Sequence, residues 1–594
     1  MTTSSGGFVR VVALLLLVAG CDDEPEATVA DGGAGGAGGG GGCTEGETRC
    51  EGFEEYICRD GLFEATRSGN CAVDVCEGEN CEDACLSAAR NRSYLGCEYW
   101  AVDLDNAVEV AGPLPADGTC FEGTTLREDL WVCVQNTRSA WLCEVDRSCE
   151  GGLPCQQAPV CVYDAQRSPF AIVVANPSLD APVTVGLEGP DGQSHFEQVM
   201  PGGVAKLQPQ ALGFADASVD HTSQARRAYK LTSTEPIVAY QFNPLDNVGV
   251  FSNDGSLLIP RHAYDTVYYA MTVPTRDRAP IHDYSGYIAI VASEPGATTV
   301  RVTPTAPVRP GPTLPGLAAG MAHEFTLQAG EVLNLEAIGD GDLTGTRVEA
   351  VDGTTPFGVF VGHEAISLSD LLPEPCCADH VEEQLFPAST WGLRFAIARS
   401  QPRNEIRRAV EVPDMLRLMA LEADTEIRID PPARDRQQNQ RPICRVGTGE
   451  WCDVFIDDDT IVLADKPILV GHFLTSAGGG NQAGNPDGDP ALAFAPPFEQ
   501  FREQYPFLAP EEYDQQYASI VAPIGTTVTL DGRDLTAALR PFPAGTFIGG
   551  RIPITPGQHL LTCPGGCGLL VQGFSPAVSY LFAGGLDLRQ ITVP

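Results

Sequence analysis

The stretch Tyr287-Ile288-Ala289-Ile290-Val291-Ala292 begins a pattern that organises most of this chain. It is an apolar strand, and after a short turn it leads to a second strand, Thr299-Val300-Arg301-Val302. Equivalent pairs of strands begin at Phe170, Leu416 and Tyr517, so the pattern occurs four times. Self-similarity at a long, roughly regular spacing indicates structural repeats.

A second element, a turn with proline followed by an apolar strand, closes each repeat. The copies with proline are Glu235-Pro236-Ile237-Val238-Ala239-Tyr240, Thr355-Pro356-Phe357-Gly358-Val359-Phe360 and Lys466-Pro467-Ile468-Leu469-Val470-Gly471-His472. The fourth copy, Gly568-Leu569-Leu570-Val571-Gln572-Gly573, lacks the proline and follows Cys563 and Cys567. We expect each proline at the start of a strand, where no ladder donor is needed. The pattern predicts an all-β fold of tandem β-sandwich-like repeats, with a propeller-like ring of four large β units as the alternative.

Composition supports a large, turn-rich β protein. The 594 residues exceed what a single hydrophobic core holds, and the 64 glycines and 46 prolines suit many turns. The 79 acidic and 37 basic residues give a net charge of −42, which repels phosphate backbones. This charge argues against nucleic acid as a partner.

The N-terminus has the order of features found in a bacterial lipoprotein signal. Arg10 precedes the apolar run Val11 to Ala19, and Leu17-Val18-Ala19-Gly20-Cys21 resembles a lipobox. The run is too short to span a bilayer, which needs about 20 residues. We therefore expect cleavage after residue 20, lipidation of Cys21 and attachment to a membrane through that lipid.

The sequence divides into five predicted segments. Residues 1–20 are the signal peptide, and 21–42 are the lipid anchor and a flexible Gly-rich linker. Residues 43–81 form a small Cys-rich module, and 82–168 hold a first strand followed by a Cys-rich insertion. Residues 169–594 form the domain of four repeats.

Cysteine usage predicts an oxidising compartment. Of 21 cysteines, removal of Cys21 leaves an even number, and most of these lie between Cys43 and Cys161. The disulfide candidates in the repeat domain are Cys376, Cys377, Cys444, Cys452, Cys563 and Cys567. The sequence leaves the pairing open.

The densest group of reactive residue types is the stretch from Cys376 to Glu383. Asp379, His380 and Glu383 are weak candidates for metal ligands, and a Cys-His nucleophile is a second possibility. A disulfide beside a structural histidine is the reading we favour, and we assign no metal, cofactor or catalytic residue. Neither Gly-x-Ser-x-Gly nor His-Glu-x-x-His occurs, so we predict that the protein is not an enzyme.

Two other kinds of residue are candidates for smaller roles. Asp103-Leu104-Asp105-Asn106, Asp340-Gly341-Asp342 and Asp487-Gly488-Asp489 offer oxygen ligands for calcium, but Asp with Gly is also ordinary turn chemistry. His363 and His472 take equivalent places in two repeats. We expect each to be a half-buried structural imidazole.

Several phrases in the repeat domain resemble the IgG Fc-binding protein N-terminal domain family. They are Tyr240-Gln241-Phe242-Asn243-Pro244, Asp254-Gly255-Ser256-Leu257-Leu258-Ile259-Pro260, Phe360-Val361-Gly362-His363, and the segment from Cys377-Ala378-Asp379-His380 through Gln384-Leu385-Phe386-Pro387 to Trp391-Gly392. The chain departs from the pattern in its doubled cysteine, in Ala378 and in the large insertion after Asp103. The resemblance implies a secreted or lipid-anchored binding domain, without implying that the ligand is immunoglobulin.

These observations predict an exported, lipid-anchored binding or adhesion protein that recognises a protein or glycan. We expect it in the cell envelope, at the outer membrane or cell surface, with the periplasm as a further possibility. An extracellular metal-dependent hydrolase and a structural envelope component are the alternatives.

Overall fold

A computed structural model describes residues 48–51, 54–59, 62–65, 84–137, 139–143, 149, 152–245, 249–250, 252–274, 284–368, 378–403, 412–476, 488–543 and 545–591. Strand is 53% and helix 5%, so the all-β prediction is confirmed. The predicted lipidation site Cys21, the predicted linker, and the disulfide candidates Cys376 and Cys377 lie outside the described residues. No helix in the described ranges is both long and apolar enough to cross a membrane.

The N-terminal part contains a small sheet, a short helix and the cysteine-rich insertion. The sheet consists of β1 (Thr48–Glu51), β2 (Glu54–Arg59) and β3 (Leu62–Ala65), and it is followed by α1 (Ala84–Arg90) and β4 (Gly96–Ala101). The insertion contains β5 (Val108–Pro113), β6 (Thr125–Arg127), β7 (Trp131–Asn136), β8 (Ser139–Leu142), β9 (Cys155–Gln157) and β10 (Val160–Asp164), then a 3-10 turn at Ala165–Arg167. These strands form two three-stranded sheets, in the orders β5-β10-β6 and β8-β7-β9.

The four repeats follow. Unit 1 adds to β4 the strands β11 (Ala171–Ala175), β12 (Val183–Glu188), β13 (Ser194–Val199), β14 (Val204–Leu207), β15 (Ser223–Arg226), β16 (Tyr229–Asn243) and β17 (Asp254–Leu257). After a 3-10 turn at Arg261–Ala263, unit 2 contains β18 (Val267–Tyr269), β19 (Gly286–Val291), β20 (Ala297–Thr303), β21 (His323–Gln328), β22 (Glu331–Glu336), β23 (Arg347–Ala350), β24 (Gly358–Ile366) and β25 (Asp379–Gln384).

Units 3 and 4 have a similar order of elements, and unit 4 has one additional short strand and a 3-10 turn. A 3-10 turn at Ala388–Thr390 leads to unit 3, which contains β26 (Gly392–Ile397), β27 (Asp414–Ala420), β28 (Thr425–Arg434), β29 (Gln440–Val446), β30 (Trp451–Ile456), β31 (Thr460–Leu474) and β32 (Ala491–Phe494). A turn at Phe498–Gln500 leads to unit 4, which contains β33 (Arg502–Ala509), β34 (Gln515–Pro523), β35 (Thr529–Leu530), β36 (Arg533–Asp534), a 3-10 turn at Thr536–Ala538, β37 (Arg540–Pro541), β38 (Phe547–Pro553), β39 (Gly557–Ser575) and β40 (Val578–Ala583).

Each unit is a two-layer sandwich, and in units 1, 3 and 4 the two layers share one long strand. In unit 1 the first half of β16 pairs with β4 and β12 in the outer sheet, and its second half pairs with β11 and β17 in the inner sheet. Strands β31 and β39 divide in the same way, whereas unit 2 uses the separate strands β23 and β24. The strand pairs recognised in the sequence are therefore not hairpins, because β11 lies in the inner sheet and β12 in the outer one.

The prolines mark the place where the shared strand changes sheets. Pro236 lies inside β16, between Ser233, which pairs with the outer sheet, and Val238, which pairs with the inner sheet. Pro467 occupies the same place in β31. The prediction that the prolines begin strands is wrong for Pro236 and Pro467, whereas Pro356 does lie just before β24. The missing N–H is tolerated here because it falls in the gap between two ladders.

The four inner-sheet edge strands pack around a common centre. Strand β17 contacts β25 and β40, and β32 also contacts β25 and β40, so the four strands form a closed cycle. Ser93 bridges to Asp587, and Leu588 donates its backbone N–H to the carbonyl oxygen of Arg92, which joins the last unit to the first. The repeats are thus sandwich-like, and the ring that we kept as the alternative is how they are arranged.

Candidate functional site

The seam between units 1 and 2 is held by side chains that replace a strand. Ser252 Oγ, Asp254 Oδ2 and Ser256 Oγ accept the backbone N–H groups of His380, Glu382 and Gln384 at 3.0, 3.3 and 2.9 Å. Alternate residues of a strand face the same side, so three polar residues spaced by two can serve three successive donors of the facing edge. Each of these N–H groups is buried, and that of His380 also donates to Asp379 Oδ1 at 2.8 Å.

Asp254 reaches beyond its immediate neighbour. Its Oδ1 accepts the N–H of Gly255 at 2.9 Å, and its Oδ2 also accepts the N–H of Leu492 in unit 3 at 3.2 Å. Burial raises the pKa of this carboxyl, although the backbone N–H groups of Gly255, Leu492, Glu382 and Leu581 act to lower it. One side chain therefore accepts hydrogen bonds from backbone groups of units 1, 2 and 3.

The three weak metal candidates share strand β25 but do not converge. Asp379 and Glu383 face one side, and His380 faces the other with Glu382, whose Oε2 lies 3.3 Å from His380 Nε2. Burial lowers the pKa of His380 to about 3, so the imidazole is neutral. The groups of potential metal ligands found in the described part of the chain include none of these three residues.

Asp379 instead belongs to a pair of buried acids. Its Oδ1 accepts the N–H of Asn253 at 2.7 Å, and burial followed by the nearby Asp489 raises its pKa well above the usual range. Burial likewise raises the pKa of Asp489. The centre of the ring is thus lined by protonatable carboxyl groups.

The histidines at equivalent repeat positions are fully buried, not half-buried as we expected. His363 Nδ1 accepts the N–H of Ala365 at 3.2 Å, and His472 Nε2 lies 2.8 Å from Asp414 Oδ2. Ser400 Oγ also donates to Asp414, at 2.6 Å, so the hydroxyl is paired with the carboxylate and not with the imidazole. This geometry is that of a structural network and differs from a Ser-His nucleophile pair.

Six disulfides lie in the described residues. Two are in the repeat domain, Cys444–Cys452 and Cys563–Cys567, and the second lies where β39 changes sheets. The other four lie around α1 and in the insertion: Cys85–Cys97, Cys120–Cys161, Cys133–Cys149 and Cys143–Cys155. The sulfur atoms of Cys133, Cys143 and Cys149 lie close together, but each is already bonded.

The insertion carries exposed apolar side chains on this braced scaffold. Phe121, Leu126 and Trp131 are 48%, 44% and 39% exposed and lie within residues 121–131. Large apolar side chains that stay in water on a rigid support are typical of protein contact surfaces. Sequence reasoning found the cysteines that brace the insertion, but it did not predict which of the apolar residues there stay exposed.

A second cluster lies at the seam between units 1 and 2. Potential ligand atoms of Asp105, His221 and Glu336 all lie within 4.8 Å of one another. Asp105 comes from one of the Asp-rich turns considered for calcium. His221 and Glu336 carried no sequence signal, because neither belongs to a motif and both are distant in the chain.

The interlocked inner strands are also where the chain resembles known proteins. The profile of the family described as IgGFc binding protein matches residues 254–573, from the start of β17 into β39. The chain belongs to the IgGFc-binding protein family. No curated protein matches it significantly. One solved structure, a tetra-tandem repeat in the extending region of a large adhesion protein, is 9% identical over 72% of this chain and 97% of that chain, with a TM-score of 0.07.

The geometry explains the phrases through which this IgGFc-binding family member resembles its relatives. Asp254 and Ser256 accept backbone N–H groups of unit 2 across the seam. In the opposite direction, Gln384 of unit 2 accepts the N–H of Ile259 in unit 1 at 2.6 Å. Trp391 is buried, with its Nε1–H donating to the carbonyl oxygen of Phe386 at 3.3 Å. These motif residues assemble the ring, and they are sealed from any ligand.

Proposed function

We propose that this protein is an exported, lipid-anchored binding protein that recognises a protein ligand through its cysteine-rich insertion. The exposed group Phe121, Leu126 and Trp131 carries the proposal. Aromatic side chains on a rigid support lose little conformational entropy on binding, and they supply a large part of the binding energy at many interfaces. Membership of the IgGFc-binding family agrees with a protein as the partner.

The proposed anchor is the lipid on Cys21. The linker of residues 21–42 would let the ring and its insertion stand away from the membrane. Labelling of growing cells with a radioactive fatty acid tests this part. We expect label in the wild type and none in Cys21→Ser, and label retained in Cys21→Ser would contradict the anchor.

The ligand class is tested with a printed array of extracellular proteins, including immunoglobulin G Fc, beside an array of glycans. We expect the purified chain to bind at least one protein, and binding to weaken at least tenfold in Phe121→Ala/Trp131→Ala. The matched control is Met321→Ala, an exposed apolar residue of unit 2. Binding that survives the double substitution, or binding confined to glycans, would overturn the assignment of the insertion to a protein ligand.

A further inference from the structure

The seam between units 1 and 2 contains a second polar cluster with unusual surroundings. Asp105 lies shortly after β4, His221 lies just before β15, and Glu336 ends β22. Strand β15 of unit 1 pairs with β22 of unit 2, so the two units share a sheet at this place. The three residues are thereby held close together from three distant parts of the chain.

Each member is fixed by bonds that leave other atoms available. Asp105 Oδ2 accepts the backbone N–H of His221 at 2.9 Å, and Asn334 Nδ2 donates to the carbonyl oxygen of His221 at 3.0 Å. The N–H of Glu336 is bonded to Thr222 Oγ1 at 3.1 Å. The side chains are thus oriented by their neighbours before any ligand arrives.

One carboxylate oxygen in the cluster lacks a hydrogen bond. Glu336 is 1% exposed, and no N–H or hydroxyl group of the described residues donates to its Oε1; the groups beside it are the Asp105 carboxyl and the His221 imidazole. The nearest cationic atom is His221 Nδ1 at 3.6 Å, which is longer than a hydrogen bond. A buried charged oxygen without a donor is costly, and it points to a group that the protein expects to receive.

The charge balance also favours a cation. Glu364 adds a third buried carboxyl nearby, and its Oε2 accepts the N–H of Ser285. Against these acids, Arg309 Nε lies 3.8 Å from Glu336 Oε2, and the His221 side chain is 53% exposed. Burial of several carboxylates beside few positive groups is unfavourable unless the carboxyls take up protons or another positive charge joins them.

We propose that Asp105, Glu336 and the imidazole of His221 bind a divalent transition-metal ion, with zinc as the ion that fits best. Two carboxylate oxygens and one imidazole nitrogen form a ligand set that suits zinc better than calcium, which prefers oxygen alone. The exposed side of His221 gives the ion a way in and leaves a fourth position for water. The ion would tie unit 1 to unit 2, whatever the protein binds through its insertion.

The test is calorimetric titration of the purified, untagged chain with zinc chloride. We expect one equivalent to bind saturably, and at least tenfold weaker binding in His221→Asn and in Glu336→Gln. His221 has a φ of 56°, a conformation that Asn tolerates, so that variant keeps the backbone. The control is Glu324→Gln, an exposed acid on β21 of unit 2.

Two further measurements test the proposed zinc site. Zinc should raise the unfolding temperature of the wild type and of Glu324→Gln, and it should leave that of His221→Asn unchanged. Cobalt should give the visible absorption of a four-coordinate site in the wild type and in Glu324→Gln, and not in His221→Asn. Absence of saturable zinc binding, equal affinity in His221→Asn, or selective binding of calcium over zinc would each overturn the assignment.

Discussion

The carboxylate of Asp254 accepts the backbone N–H of Leu492 at 3.2 Å, which connects the inner strand of unit 1 to that of unit 3. The same oxygen accepts the N–H of Glu382 in unit 2 at 3.3 Å. A single side chain of unit 1 thus accepts hydrogen bonds from unit 2, its neighbour in sequence, and from unit 3, which is not its neighbour in sequence.

Asp254→Ala should destabilise the protein by about 2–4 kcal/mol, because several buried N–H groups lose their acceptor. Asp254→Asn should cost less, since its carbonyl oxygen still accepts. Urea unfolding measures both, with the exposed Asp180→Ala as control. A loss in Asp254→Ala no larger than in Asp180→Ala would show that this carboxylate does not hold the ring.

Asp379→Asn should stabilise the protein at pH 7 and above by about 1–2 kcal/mol. Burial, and then Asp489, raises the pKa of Asp379, so the native state favours its protonated form. The contribution of the Asp379 carboxyl to the free energy of unfolding is complete below the pKa that this carboxyl has in the unfolded chain. It is lost as the pH rises through the pKa that the carboxyl has in the native state. An amide carries no such penalty.

The measurement is the free energy of unfolding of wild type and Asp379→Asn between pH 5 and pH 8. The difference should grow in favour of the variant as the pH rises. Asp180→Asn, at an exposed site, should follow the wild type. A variant that loses stability throughout this range would contradict the prediction.

Two buried tyrosines should respond to loss of their hydroxyl in opposite ways. Tyr287 Oη is buried without a hydrogen-bond partner in the described residues, whereas Tyr505 Oη accepts the N–H of Arg502 at 2.7 Å and donates to the carbonyl oxygen of Cys567. Tyr287→Phe should therefore be neutral or stabilising by up to about 1 kcal/mol, and Tyr505→Phe should cost about 1–2 kcal/mol. Thermal unfolding of the two variants measures this difference. Equal losses of stability would refute the claim that the Tyr505 hydroxyl is hydrogen-bonded and the Tyr287 hydroxyl is not.

Removal of a disulfide should lower the free energy of unfolding more when the disulfide closes a longer loop. Cys120–Cys161 spans 41 residues and Cys563–Cys567 only 4. Loop entropy assigns about 4 kcal/mol to the first and about 2 kcal/mol to the second. We expect Cys120→Ser/Cys161→Ser to lose more free energy of unfolding than Cys563→Ser/Cys567→Ser, measured by urea denaturation, and the reverse order would contradict this ranking.

Sequence reasoning found the elements whose signals are local. The strands around Ile290 and Ile520 are recognised by their apolar composition, and the fourfold recurrence of such strands predicted the units. The sheet change at Pro236 could not be predicted in this way. A strand that continues through a proline and exchanges partners looks, in one dimension, like a strand that begins there.

The candidate site was predicted less well, because its contacts are distant in the chain. The sequence analysis kept Asp379 and His380 as weak metal candidates and favoured a structural role, and the structure uses this strand to close a seam with Ser252 and Asp254. The partners of Asp105 appear only once β15 has paired with β22. The predicted segment boundaries and the lipidation of Cys21 stay predictions.

The bond from Arg92 Nε to the carbonyl oxygen of Leu588 joins residues 496 positions apart. Such a contact has a large loop-closure cost, so it forms only once the intervening units are already in place. Cooperativity follows from this closure: no unit has a complete set of neighbours until all four do. A substitution that weakens the contact between two units should therefore destabilise all four units. The repeats should unfold together in a single transition instead of one after another.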